Sequence, residues 1–439
     1  MGIHDLIKRL LQLIVICLTL ITCNNKTQEK SSSFKILINT AHLDSLYEEV
    51  TISEKTFGII HIYSEYPDYK WVGDEDEGIA CIDDAARAVL FYLEHYTLYR
   101  NEPSLIKAKK LLRFVLYMQA NNGFFYNFIF DDYSINRDHK NSINEPSWWS
   151  WRAMWALSSG YLHFVNVDKD FADIIYKQLE RITEELIKII NVERETKTIN
   201  GIDKITWLPQ KSASDQSSII ILSLLNYYKF SKDETIPEYI NNLCNGILSI
   251  QKGDSTNFPY SAFMSWANQW HAYGNIQSYS LLKASSVLDR EDIAVAAISE
   301  INYFYKFLMN ENYLSSFYID KKNDKYIPKD IKQYSQIAYN FRVMVYGCVE
   351  AYNITKDSSY AIMAGEIASW FFGNNLADAQ MYFPSSGICY DGINSQNAIN
   401  KNSGAESTIE ALLTFLTLEQ NQIAINTLNK VLEGRGNNF

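Results

Sequence analysis

The chain has 439 residues, with 40 Lys and Arg against 51 Asp and Glu and a formal net charge of −11. That balance argues against a nucleic-acid partner, which needs basic surface, and works against a strongly anionic one. Apolar residues make up 47% of the chain, enough for a large core.

In chain order, the first element is a leader. Lys8 and Arg9 precede an apolar run, 10–22. The run is too short for a membrane-spanning helix, which takes about 20 residues, and has the length of a signal-peptide core. It ends in Leu20-Ile21-Thr22-Cys23, which resembles a bacterial lipobox. The resemblance implies cleavage before Cys23 and lipidation of that cysteine. Asn24 and Asn25 carry no evident inner-membrane retention signal, so the expectation is an outer-membrane anchor, facing the periplasm or the cell surface. The other readings are a plain signal peptide or an uncleaved anchor. The polar stretch that follows reads as a flexible tether. The expected division is a leader at 1–22, a tether at 23–34 and one domain over 35–439.

Beyond the leader stand Cys81, Cys244, Cys348 and Cys389. Their spacing fits no metal pattern, and buried thiols are expected. The seven His form no HExxH or other ligand cluster, so neither metal nor cofactor is expected.

From residue 83 the 3.6-residue periodicity predicts twelve helices: 83–98, 103–120, 147–165, 168–191, 214–229, 234–250, 272–289, 290–309, 335–354, 357–373, 402–418 and 420–433. A helical hairpin therefore recurs six times at nearly constant spacing. Charge keeps the same beat. The fourth helix (KDFADIIYKQLERITEELIKII) is charged along one face, while the fifth (DQSSIIILSLLNYY) carries no charge after Asp215. Helices apolar nearly all round are buried, and those with a polar stripe face water. The odd helices should form an inner ring and the even ones an outer ring. The expected fold is all-α, an (α/α)6 toroid of six helical hairpins, with an open superhelix as the rival.

Connections within hairpins are short; those between hairpins are long and aromatic, as in 121–149 and 258–275. Long loops in compact folds are usually functional. All of them precede inner helices, so they should gather at one end of the toroid. The 30 Tyr, 22 Phe and 9 Trp exceed what a core requires and suit a groove lined by ring faces.

Asp83 and Asp84 open the first inner helix, where one carboxylate suffices for capping and the other is free for chemistry. Glu406 opens the last, and ring closure would make it their neighbour. Two carboxylates about one sugar bond are the minimum for acid–base glycoside cleavage. Asp391 sits in the loop before Glu406, in an Asp-Gly pair that also suits a turn. Glu145, Trp148, Trp149, Trp266, Trp270 and His271 lie at loop–helix junctions and are candidate sugar contacts. Trp151 and Trp155 are spaced as core residues, and capping accounts for Asp215.

The block Gly78-Ile79-Ala80-Cys81-Ile82-Asp83-Asp84-Ala85-Ala86-Arg87-Ala88 resembles the G-x-C-x-D-D-x-A-R-A block of a bacterial six-hairpin glycosidase-like family, found free or joined to glycosyltransferases. RAMWALS at 152–158, WFFGNN at 370–375, GICYDG at 387–392 and NSGAEST at 402–408 are similar too, in the same order. The resemblance implies sugar handling, with Asp83, Asp84, Arg87, Asp391 and Glu406 at the matching positions. Ala85 stands where Asn is commoner, and Trp148-Trp149 where the family tends to be acidic and His-bearing.

The leading expectation is a monomeric glycoside hydrolase acting on an oligo- or polysaccharide outside the cytoplasm, touching the membrane only through its lipid. Asp83 or Asp84 would pair with Glu406, while Arg87 and Asp391 would orient the sugar. A mannoside is the first substrate to try. The alternatives are a non-catalytic glycan-binding lipoprotein and a lyase or epimerase on the same toroid.

Overall fold

The expected periodicity becomes six antiparallel helix pairs in a computed structural model that describes residues 37–190, 193–199 and 201–435. The leader and the whole tether, Cys23 included, lie outside the described residues. The pairs are α1 (Ile82–Tyr99) with α2 (Glu102–Tyr117), α3 (Trp148–Phe164) with α4 (Lys169–Ile190), and α5 (Ser214–Ser231) with α6 (Ile236–Ser249). Then follow α7 (Gln277–Leu288) with α8 (Glu291–Glu300, continuing through a π turn, Ile301–Tyr305, into Lys306–Asn310), α9 (Ala338–Thr355) with α10 (Ser358–Ala368), and α11 (Ala405–Glu419) with α12 (Gln422–Gly434).

The odd helices touch in sequence, α1 on α3, α3 on α5, α5 on α7, α7 on α9 and α9 on α11, and α11 returns to α1. That last contact closes the ring and excludes the open superhelix. Burial follows the charge pattern: α5 is buried from Ser214 through Leu225, whereas α4 buries one stripe that includes Phe171, Ile175, Leu179, Ile182 and Leu186. Side chains such as Phe91, Phe114 and Trp151, all fully buried, each contribute roughly 1.5–3 kcal/mol or more by leaving water.

Four inner helices end on a left-handed residue, Arg100, Lys232, Asp289 and Lys356, which turns the chain back within a few residues. Asn101, Asp357 and Asn421 then cap outer helices through their side chains. The three inner helices expected to start at 272, 335 and 402 start later, at Gln277, Ala338 and Ala405. In the first of these, Gly274 takes φ +68 and holds the preceding segment in a loop.

The connecting loops carry short strands as well. Most form two-stranded ladders, and residues 269–271, 316–322 and 325–332 form a three-stranded sheet. Ahead of α1, a hairpin at 47–60 packs on α2. The chain then reaches the seam between the first and last helix pairs. There Ala405 N donates to Ile62 O at 2.9 Å and Ser403 N to Ser64 O at 3.0 Å. The four cysteines beyond the leader are buried free thiols. Among the described residues, no helix is long and apolar enough to cross a membrane.

Candidate active site at the inner-helix N-termini

The six inner helices point their N-termini at one end of the ring, where the partial positive ends favour carboxylates. The Asp-Asp block is seated by backbone. Gly78 takes φ +117, and a Cβ there would lie 2.1 Å from the carbonyl oxygen of Ile129. Residues 80–81 pair with 128–129, and Asn127 O accepts from Ile82 N at 2.8 Å. The cap of α1 is neither aspartate: Cys81 Sγ accepts from Asp84 N at 3.4 Å. Neither carboxylate is spent on the cap, although Asp84 Oδ2 also accepts from Cys81 Sγ at 3.2 Å.

Both are met by arginine. Arg87 Nη1 donates to Asp84 Oδ1 at 2.7 Å, and Nη2 to Glu406 Oε2 at 2.6 Å. Its Nε lies 3.1 Å from Glu410 Oε1. Glu410 is completely buried and also pairs with Arg342. Arg152 Nη1 meets Asp83 Oδ2 at 2.7 Å, and its Nη2 donates to the Tyr339 hydroxyl at 3.3 Å. The Tyr339 ring lies near three guanidinium carbons, 5.2 Å from that of Arg87, 5.5 Å from Arg152 and 5.0 Å from Arg342. Four helices thus share one charged lattice.

A pocket of about 150 Å³ opens above this lattice, with Asp84, Asp391, Glu406, Tyr63 and Tyr339 in its wall. Burial pushes the Asp84 carboxyl up to about 6, against the pull of Arg87. Burial also raises Asp391, which accepts from Gly404 N at 2.8 Å and Ser407 Oγ at 2.6 Å. Asp391 thereby holds the start of α11. Glu406 differs: its side chain is 42% exposed and lies on the open side of the pocket.

Across the mouth, His271 Nε2 meets Asp215 Oδ2 at 3.0 Å, and Nδ1 faces the Tyr273 carbonyl at 2.9 Å. With both ring nitrogens engaged, the buried His271 presents no free nitrogen to a ligand. Tyr273 stacks on it at 3.9 Å and is itself exposed. Burial, then Asp215, raise the Tyr273 phenol.

The expected sugar contacts therefore separate. Trp148 lies over Arg152 at 5.0 Å and beside Gly274. Trp149 is buried and donates to Phe125 O at 2.8 Å; Trp270 is buried against Phe317 and Phe304. Neither presents a face to a sugar, because the loops fold back onto their own apolar rings. Trp266 is exposed, donates to Gln210 O at 3.0 Å and lies under Lys204. Glu145 is half-buried in the loop before α3, where its carbonyl accepts from Ser150 Oγ at 2.8 Å. Trp151 is in the core, whereas Trp155 borders a cavity in the lumen. Asp215 is not the cap that was expected, because Ala213 holds that position and Asp215 lies in the first turn of α5, where Oδ1 accepts from Gln216 N at 2.6 Å while Oδ2 holds His271.

Arg152, Arg342, Glu410, Tyr273 and Tyr339 were not among the expected site residues. A signal existed for three of them. Arg152, Arg342 and Glu410 are charges in buried runs of the inner helices. Such charges have to be paired inside. The two tyrosines carry no comparable mark among 30.

No group of His, Cys, Asp and Glu suited to a metal ion occurs among the described residues. No family model matches the chain, and no curated protein matches it. Solved structures do match its fold. Cellobiose 2-epimerase from Bacillus thermoamylovorans superposes with a TM-score of 0.60 at 14% identity, over 86% of this chain and 95% of that one. A D-mannose isomerase gives 0.56 at 11% identity, over 87% and 96%. A family 76 glycoside hydrolase from a bovine Bacteroides thetaiotaomicron strain gives 0.53 at 12% identity, over 90% and 79%. The chain has the (α/α)6 toroid fold of these sugar-handling proteins.

Proposed function

We propose that this protein is a carbohydrate-active enzyme, and that it hydrolyses a glycosidic bond in the pocket between α1 and α11. The observation that carries this is the clamp of Arg87 on Asp84 and Glu406, which line the same pocket. Asp84 has the raised carboxyl of a general acid and would protonate the leaving oxygen. Glu406, oriented by Arg87 and open to the mouth, would activate water or attack the sugar carbon. Tyr273 would offer its exposed ring to the sugar. If the leader acts as its sequence suggests, the site would work outside the cytoplasm on an outer-membrane tether.

A second reading is favoured by the floor. The guanidinium groups of Arg87 and Arg152 beside the Tyr339 hydroxyl would also suit the enediolate of a sugar epimerisation or isomerisation. Two of the similar folds belong to proteins described by those activities. The same incubation separates the readings. Manno-, gluco- and galacto-oligosaccharides, cellobiose and free mannose are supplied in D2O. Hydrolysis shortens the chains and is lost in Asp84→Asn and Glu406→Gln. Epimerisation places deuterium on the reducing sugar without shortening it. Neither product, with glycan binding kept by both variants, would make the protein a glycan-binding one.

A further inference from the structure

The lumen continues beneath the arginine floor. A cavity of about 330 Å³ lies between Arg87, Arg152 and Tyr339 and the C-terminal ends of the inner helices. Its wall is formed by axis-facing residues at helical spacing, Trp155 and Ser159 on α3, Leu222, Asn226 and Lys229 on α5. Packed helix faces would carry aliphatic side chains that fill such a space. Here polar groups stand among aliphatic ones such as Leu90, Leu93, Leu225 and Leu413, and the space is left unfilled. Asn226 Nδ2 donates to Ser159 Oγ at 3.1 Å, and Lys229 Nζ to Asn226 Oδ1 at 3.3 Å. Lys283 meets Glu350 at 2.7 Å.

A lysine in the last turn of a helix offsets the negative end of the helix dipole, which accounts for Lys229. It does not account for Glu94. This carboxyl sits in the C-terminal half of α1, where the dipole opposes it. Its side chain is exposed to the open space of the cavity, near the positive charges of Arg342 and Lys283, and among the described residues it has no direct hydrogen bond or ion pair. A carboxyl so placed is free to accept hydroxyl hydrogens from a molecule in the cavity.

We propose that this rear half of the lumen is a second binding site, for one uncharged polyhydroxylated molecule of monosaccharide size. Glu94 would accept from its hydroxyls, Asn226, Lys229 and Lys283 would donate to them, and Trp155 and Leu222 would cover its C–H face. The volume falls at the lower end of ligand pockets, about 300–1,000 Å³. A second space of about 300 Å³ shares Glu94 and Lys283 and reaches Gln420 and Asn421 at the ring's far end, giving an entry. The occupant would lie on the far side of the guanidinium floor from the front pocket.

The test is equilibrium binding of D-mannose, D-glucose and D-galactose to the whole protein, by calorimetry and ligand-detected NMR. One of these sugars should bind to Glu406→Gln as it does to the parent. Ser159→Phe, which fills the cavity, and Asn226→Ala, which adds no bulk, should each weaken that binding at least tenfold while the thermal transition is retained. Binding untouched by Asn226→Ala, or absent from the folded parent, would overturn the site. Inorganic phosphate held there in place of sugar would overturn the ligand class. Because none of these readings depends on turnover, they stand apart from the fate of the front site.

Discussion

Nη2 of Arg87 lies 2.6 Å from Oε2 of Glu406, a residue 319 positions further along the chain. This pair spans the seam where the last inner helix meets the first, so ring closure and site assembly are one event. Replacing Arg87 strands the buried Asp84 and Glu410. Arg87→Met should cost about 3–5 kcal/mol of stability, read by urea unfolding. Glu406→Gln should leave the unfolding midpoint nearly unchanged while turnover falls about 10²–10⁴-fold.

The pH dependence of turnover follows from Asp84. A general acid works only while protonated, and burial raises this carboxyl to about 6. The kcat profile should fall as pH rises through about 6. Asp84→Asn should remove that limb along with the activity. A kcat that is flat from pH 5 to 8 would exclude Asp84 as the acid.

Tyr273 stacks on His271, which Asp215 holds. Tyr273→Ala removes a ring face from the mouth without touching the lattice. KM should rise about tenfold, a loss of about 1.4 kcal/mol, with kcat changed much less. Asp215→Asn should act in the same direction through the loosened imidazole. A pure kcat effect in Tyr273→Ala would place the phenol in the chemistry instead.

Gly404 precedes the helix that carries Glu406. A Cβ there would lie 2.7 Å from the carbonyl oxygen of Ile62. Gly404→Ala should cost about 1–3 kcal/mol through overpacking and shift the start of α11 away from α1. Turnover should drop together with the melting temperature, the reverse of the Glu406→Gln pattern.

Glu300 supplies a test of stability away from the site. It is fully buried and accepts from Ser278 Oγ at 2.6 Å and Phe263 N at 2.8 Å. Burial raises its carboxyl from 4.5 to about 8. The folded chain keeps the proton to about pH 8, whereas the unfolded chain loses it near the ordinary value. Stability is therefore full below 4.5 and falls as pH rises to about 8, by at most about 1.4 kcal/mol per pH unit. Glu300→Gln should flatten that slope in denaturant titrations at pH 5, 6, 7 and 8.

What the sequence determined by itself was everything carried by local period. The alternation of α4, charged along one face, with α5, uncharged after Asp215, is written in single helices. So is the placing of Asp83, Asp84 and Glu406 at inner-helix starts, because start signals lie within a few residues of each other. Tertiary structure decided which partners those carboxylates have. Whether Asp84 shares a guanidinium with Glu406, or Asp215 takes up His271, depends on ring geometry. Contacts across hundreds of residues leave no periodic trace. Burial was settled at the same level. Trp148 and Trp149 look alike in the sequence, yet the fold of the preceding loop sinks Trp149 onto Phe125 and leaves Trp148 over Arg152. Packing free energy assigns a loop tryptophan to the core or the mouth, and that energy is summed over neighbours the local sequence does not contain.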